Sequence, residues 1–200
     1  MRSLLFLLIF FLPVMATAQL WPFEMWHDGE IVTEQGDTLK GKVKYDLQQD
    51  LVQFMHREDK VEAYSARKVL FFEIFDETVH RYRNFYTLPY NATAGYKTPV
   101  IFELLVQGKM TLLSRESLEY KTFSSTYYMG SYTRQVLVDY YFFLKENGDI
   151  EEFKGSKNDL MDLMGTKANL VEKYIKVNRL KFDEKYDLVK IVAYYNSLIN

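Results

Sequence analysis

The stretch Thr38–Asp46, TLKGKVKYD, decides the class of fold. Leu39, Gly41, Val43 and Tyr45 fall at one parity, and Thr38, Lys40, Lys42 and Lys44 at the other. Apolar and polar residues alternating with period two describe a strand with one face buried and the other wet. Upstream, Gly29–Thr33 reads as a strand joined to it through Glu34-Gln35-Gly36-Asp37. Downstream, a polar link over Asp46–Asp50 leads to Leu51–His56, and a charged turn over Arg57–Lys60 leads to Val61–Ser65 and then Val69–Phe75. VLFFEIF is apolar at both parities except at Glu73, the pattern of a central strand covered on both faces.

Five short hairpin-linked strands between Gly29 and Phe75 have the rhythm of an SH3-like small barrel or a strongly curled sheet. The period of two continues through Val79–Leu88, a loop around Pro89–Pro99, and a hairpin of Val100–Val106 with Met110–Ser114 turning at Gln107-Gly108-Lys109. Val136–Lys145 is a long aromatic strand, and Asn147-Gly148 turns it into Ile150–Phe153. Asn-Gly accepts the positive φ angles that a two-residue hairpin needs.

At Ser156 the period becomes 3.6. Ser156, with Asp159 three residues on, opens a helix that Gly165 stops. Thr166 is placed to cap a second helix with the stripe Leu170, Val171, Tyr174, Ile175 and Val177. Asp183 opens a third, with Leu188, Val192, Tyr195 and Ile199 on one face, flanked by Ile191 and Leu198. Such stripes dock on a sheet. No Pro/Gly-rich linker intervenes, so the expected fold is one α+β domain over 19–200, β-rich over 29–154 and helical over 156–199.

The N-terminus reads as an address. Met1-Arg2 is a short positive start, Leu4–Leu12 is an unbroken apolar run, and Ala16-Thr17-Ala18 is a small-x-small cleavage site before Gln19. The run falls short of the roughly 20 residues that span a bilayer as a helix. Residues 1–18 are therefore expected to be a signal peptide, leaving no transmembrane segment after processing. Cleavage leaves 182 of the 200 residues and, with Arg2 gone, moves the formal net charge from −2 to −3. That balance speaks against nucleic acid as a partner. With no Cys and 48% hydrophobic residues, stability in an oxidising compartment must come from packing.

Few constellations carry chemistry. His27, His56 and His80 are the only histidines, no pair has metal-ligand spacing, and nothing calls for a metal or other cofactor. Three carboxylates interrupt apolar strands: Glu73, Glu103 in VIFELLV and Asp139 in QVLVDYYFF. A carboxyl desolvated in such a place can serve as a general acid, and a glycan hydrolase needs two. The plainer reading turns each to a sheet edge or pairs it with an Arg or Lys. Ser114 has no Gly-x-Ser-x-Gly elbow, and Asn91-Ala92-Thr93 matches a glycosylation acceptor. The Lys40/Lys42/Lys44 row suits a charged exposed strand. Ser124–Gln135, SSTYYMGSYTRQ, reads either as a contact loop in which Tyr127, Tyr128 and Tyr132 supply area and adaptable hydrogen bonds, or, more plainly, as the tip of a long hairpin whose tyrosines fold back onto the sheet. Tyr86–Tyr96 is a second such loop.

Several segments together resemble a group of exported proteins of Bacteroidetes-type bacteria that has no established activity. They are Trp26-His27-x-Gly29-x-Ile31, Gly36-Asp37-Thr38-Leu39-x-Gly41, Tyr64-x-Ala66-x-x-Val69-x-x-Phe72, Phe102-Glu103-x-Leu105, Leu112-Leu113-Ser114-Arg115-Glu116 and Tyr194-Tyr195-Asn196-Ser197-Leu198. The resemblance implies a periplasmic or secreted setting and supplies no catalytic residues. The expected function is a non-enzymatic binding or structural protein of the bacterial envelope, with an envelope protein or glycan as partner. Its alternatives are a hydrolase acting on envelope glycans through Glu73, Glu103 or Asp139, and a carrier whose strand Tyr140–Phe143 lines an apolar cavity.

Overall fold

The computed structural model describes residues 21–56, 60–91, 95–125 and 130–199. The signal-peptide reading at 1–18, Tyr127, Tyr128 and most of the Arg57–Lys60 turn lie outside them, as do two residues of the glycosylation triplet. The fold is α+β: a ten-stranded antiparallel sheet followed by helices. The strands are β1 (His27–Thr33), β2 (Thr38–Asp46), β3 (Leu51–Met55), β4 (Val61–Ser65), β5 (Val69–Asp76), β6 (Arg81–Tyr90), β7 (Thr98–Val106), β8 (Thr111–Ser125), β9 (Gly130–Leu144) and β10 (Ile150–Phe153). The helices are α1 (Lys157–Met164), α2 (Ala168–Asn178) and α3 (Lys185–Ile199).

The sheet order is β10-β9-β8-β7-β6-β5-β1-β2-β3-β4. β5 returns to pair with β1, as a small barrel requires, but its other edge pairs with β6. No edge of β5 is left for β4, so the expected barrel over 29–75 does not close. The sheet curls instead. Ile31, Val43 and Val52 have no exposure, and every buried member of their cluster lies in β1–β7 or in the β4–β5 turn, with no helix among them. Tyr45 of β2 meets Phe85 of β6 with ring centroids 5.8 Å apart although β1 and β5 lie between those strands, so this face wraps over itself. At Gly29 a Cβ would stand 2.1 Å from the Glu73 carbonyl oxygen, so the close β1–β5 approach requires glycine.

The same face, continued onto β8, β9 and β10, is covered by the helices. Leu112, Tyr141, Phe143 and Phe153 pack with Leu160, Val171, Leu188 and Ile191. The Ser156 hydroxyl accepts the Asp159 N–H, and Gly165 ends α1 at φ 51°. Thr166 instead sits in a 3-10 turn, and Lys167 precedes α2 without a side-chain cap. Of the expected α2 stripe, Val171 and Ile175 are buried, while Leu170 and Val177 face outward. On the opposite sheet face Phe102, Leu113 and Phe142 form a third cluster. The outer face of β5 is only partly covered, with Leu70 exposed and Phe71 tilted against Tyr86.

Strands run further into two connecting segments than the sequence suggests. β6 runs on to Tyr90 and β7 begins at Thr98, with Pro89 opposite Pro99. Neither proline has an N–H to give, and an antiparallel ladder has non-hydrogen-bonded pairs that ask for none. Ser124–Gln135 belongs to a long hairpin in which β8 and β9 pair from Thr111↔Leu144 to Ser125↔Gly130. Its Tyr, Thr and Ser composition suits an exposed strand as well as a loop.

Candidate functional site

Two features of the fold bear on function: a buried ionic seam and the arm that rises from it. The seam follows from parity. Ile74 pairs with Arg83, Phe85 with Glu103, Glu103 with Ser114, and Glu116 with Asp139. Directly opposed residues share a face. Asp76, Arg83, Glu103, Ser114, Glu116 and Asp139 therefore form a polar row across β5–β9, between the self-curled half of the sheet and the helix-covered half. Lys185, the first residue of α3, comes down onto this row.

Arg83 donates to Glu103 through Nε at 3.0 Å and Nη2 at 2.8 Å, to Glu116 at 2.7 Å and to Asp76 at 3.3 Å. Lys185 Nζ reaches Glu103 at 2.9 Å, Asp139 at 2.9 Å and Glu116 at 3.4 Å. Arg83, Glu103 and Asp76 are buried. Burial by itself pushes the Glu103 carboxyl up. The Arg83 guanidinium, by charge and hydrogen bond, and then Lys185 outweigh it and hold the group at about 2. Burial likewise opposes the charge on Lys185, and Glu103 and Glu116 raise its pKa in spite of it. For Asp76, burial is outweighed by the hydroxyl and N–H of Thr78 and by Arg83, which lower its pKa. The Tyr141 phenol is pushed up by burial, then by Asp139, Glu184 and Asp183.

Two of the three candidate acids, Glu103 and Asp139, thus converge on one ammonium group. Glu73 does not join them. It pairs across the ladder with Glu30 and Asn84, at the parity opposite Phe72 and Ile74. The expectation of an acid made basic by desolvation fails at Glu103, because its cations outweigh its burial. The Lys185 ammonium occupies the place a bound cation would take among these carboxylates. Among the described residues, no three His, Asp or Glu side chains are arranged to hold a metal ion. Of the Tyr140–Phe143 strand, Tyr141 and Phe143 pack under the helices and Phe142 packs in the outer cluster, and the described spaces that Tyr141 and Phe143 border are open grooves rather than the enclosed cavity of a carrier. At the mouth of the seam lies an open groove of about 430 Å³ between the base of β8–β9 and the start of α3, bordered by Asp139, Tyr141, Asp183 and Tyr186. Sequence reasoning missed Arg83, Lys185, Asp76 and Glu116.

The arm shares the Glu116↔Asp139 pair with this row and rises from it. β7 pairs with β8 only as far as Ser114, and β10 pairs with β9 only from Tyr141 onward. Beyond them, the eleven pairs from Arg115↔Tyr140 to Ser125↔Gly130 join β8 and β9 to each other alone. At about 3.4 Å per residue this two-stranded ribbon is roughly 35 Å long. Its lower part, including Leu118 and Leu137, is half-buried, and Tyr120, Lys121, Tyr132 and Arg134 are exposed. On one face Phe123 stacks on Tyr132, with ring centroids 5.7 Å apart, and the Arg134 guanidinium lies over Phe123. Lys121 stands directly opposite Arg134. Like charges opposed across a ladder oppose its formation, so this pair is not explained by the stability of the ribbon.

The remaining candidates are absorbed by structure. Lys40 pairs with Glu30, Lys42 with Asp28, and Lys44 lies over Trp26, in a strand paired on both sides rather than at an edge. His27 is buried, its ring nitrogens 2.8 Å from the Pro22 carbonyl oxygen and 3.2 Å from that of Phe75. His56 contacts Glu62. No described helix is long and apolar enough to cross a membrane. No protein-family model, curated protein or solved structure matches the chain.

Proposed function

We propose that the mature chain is a non-enzymatic binding or structural protein of the bacterial envelope that engages an envelope protein or glycan through the β8–β9 arm. One observation carries this reading: the sheet sends out a ribbon supported by neither β7 nor β10, bearing stacked aromatics and an opposed pair of cations. Amphipathic rings offer large contact area at low entropic cost, and the cations add polar anchors. The Leu4–Leu12 run and the Ala16-Thr17-Ala18 site support export. The hydrolase alternative needs a carboxyl kept protonated near neutral pH, whereas Glu103 is held at about 2.

Site-specific photo-crosslinking in the native host tests this reading. A crosslinker at Tyr132 is expected to capture an envelope component that one at Val177, exposed on α2, does not. Equal capture from both positions, or none from Tyr132, overturns it.

A further inference from the structure

We propose that the free edge of β8 pairs antiparallel with the same edge of a second copy of this chain, about a two-fold axis at Tyr120. This goes beyond contact with an envelope partner and does not depend on it. From Arg115 to Ser125 the edge of β8 turned away from β9 meets no other described strand. Every second residue there offers an N–H and a carbonyl with no ladder partner. Two strands alone are marginally stable in water, whereas three or more sharing a face are stable, and a free edge is a template for another chain.

Charge selects both the occupant and the register. In a symmetric antiparallel pairing, an axis at Tyr120 sets Glu119 of each copy opposite Lys121 of the other, twice over. An axis at Glu119 or Lys121 sets that residue against itself. An axis at Leu118 sets Arg115 against Lys121, and one at Thr122 leaves Glu119 and Lys121 without opposite charges. An axis at Ser117 also opposes unlike charges, Arg115 to Glu119, but it pairs only residues 115–119, since β8 below Arg115 is taken by β7. The axis at Tyr120 alone opposes unlike charges while pairing the whole free edge from Arg115 to Ser125, so the edge is complementary to itself. Within one chain the same two groups meet only loosely, at 3.9 Å, and Glu119 also accepts from the Tyr140 hydroxyl. Tyr120 is 75% exposed and would lie on the axis against its copy. Faces are preserved about such an axis. The two Phe123/Tyr132/Arg134 surfaces would therefore join on one side of a four-stranded sheet.

Sedimentation equilibrium of the full mature chain tests this. A dimer is expected whose dissociation constant rises about tenfold or more with Glu119→Lys alone or Lys121→Glu alone, since each exchanges two attractions for two repulsions. The double reversal, Glu119→Lys with Lys121→Glu, is expected to restore the parent value, which a variant that merely misfolded would not do. The chain has no Cys, so Tyr120→Cys supplies a single thiol. It is expected to give a covalent dimer on oxidation, where Val177→Cys does not. A parent chain that stays monomeric, single reversals without effect, a double reversal without recovery, or equal oxidation of the two cysteine variants each overturns the proposal. None of these outcomes bears on what Tyr132 captures in the envelope.

Discussion

Replacing Arg83 with Met tests the seam most sharply. Methionine roughly keeps the volume and removes the charge, together with both bonds to Glu103 and those to Glu116 and Asp76. Breaking a buried pair by removing one partner costs about 3–5 kcal/mol, because the other charge is left in a low-dielectric site. An independent route gives a similar size. Glu103 held at about 2 against an ordinary 4.5 corresponds to about 3 kcal/mol of net stabilisation, what Arg83 and Lys185 together contribute less what burial costs. The sign follows from the depression: that contribution is present in full above pH 4.5 and is lost as the pH falls towards 2. In Arg83→Met the carboxyl loses its main counter-charge and takes up a proton earlier, so the variant has less to lose on acidification. Urea unfolding is therefore expected to show a deficit of about 3–5 kcal/mol at pH 7 that falls to about half by pH 3. A deficit under about 1 kcal/mol, or one unchanged between the two pH values, refutes the reasoning. Arg83→Met combined with Glu103→Leu is expected to recover much of the loss, as buried pairs replaced by apolar groups often do.

Three further outcomes are expected. Lys185→Met releases the start of α3 from Glu103, Glu116 and Asp139. It should cost about 3 kcal/mol and speed hydrogen exchange across α3 more than in β1–β4. Because the Lys185 pKa is raised, its contribution is present below its ordinary 10.5 and is lost as the pH climbs beyond that value, so alkaline unfolding should come earlier in the parent than neutral stability suggests. Gly108→Ala puts a Cβ 2.3 Å from the Asn196 amide nitrogen, displacing a side chain that bonds both the N–H and the carbonyl of Met110. Thermal unfolding should register a loss of about 1–3 kcal/mol. Tyr132→Ser, on the exposed arm, should leave unfolding within about 0.5 kcal/mol of the parent while reducing capture of the envelope partner.

What could be read from the sequence was local. Thr38–Asp46, Val61–Ser65 and Ile150–Phe153 are strands over the residues their alternation marks, and Gly148 has the positive φ of 83° that the Asn-Gly turn demands. Barrel closure was not legible, because it depends on the second neighbour of β5, and β6 takes that edge. A long hairpin tip was one reading of Ser124–Gln135, but how far the arm runs past β7 and β10 was hidden, because that composition is shared by loops and exposed strands and its ladder partner is its own other half. The plainer reading of Glu103 and Asp139, pairing with cations, is what the seam contains, but the partner Lys185 lies 82 and 46 residues away along the chain. A local signal for the seam did exist. Arg83 lies two residues before Phe85, Glu103 two after Ile101 and Ser114 two after Leu112, so polar residues sit at inward parity on three consecutive strands. Their common row appears only once the register is known.

The arm and the body can be separated by replacing residues 119–136 with an Asn-Gly turn between Leu118 and Leu137, which are cross-strand partners. Retention of this shortened chain in the envelope of the native host, measured beside the parent, is the direct test of the arm as the element of contact. The parent is expected to be retained and the shortened chain to be lost from the envelope while unfolding at the same urea concentration. A shortened chain retained as well as the parent would contradict the account.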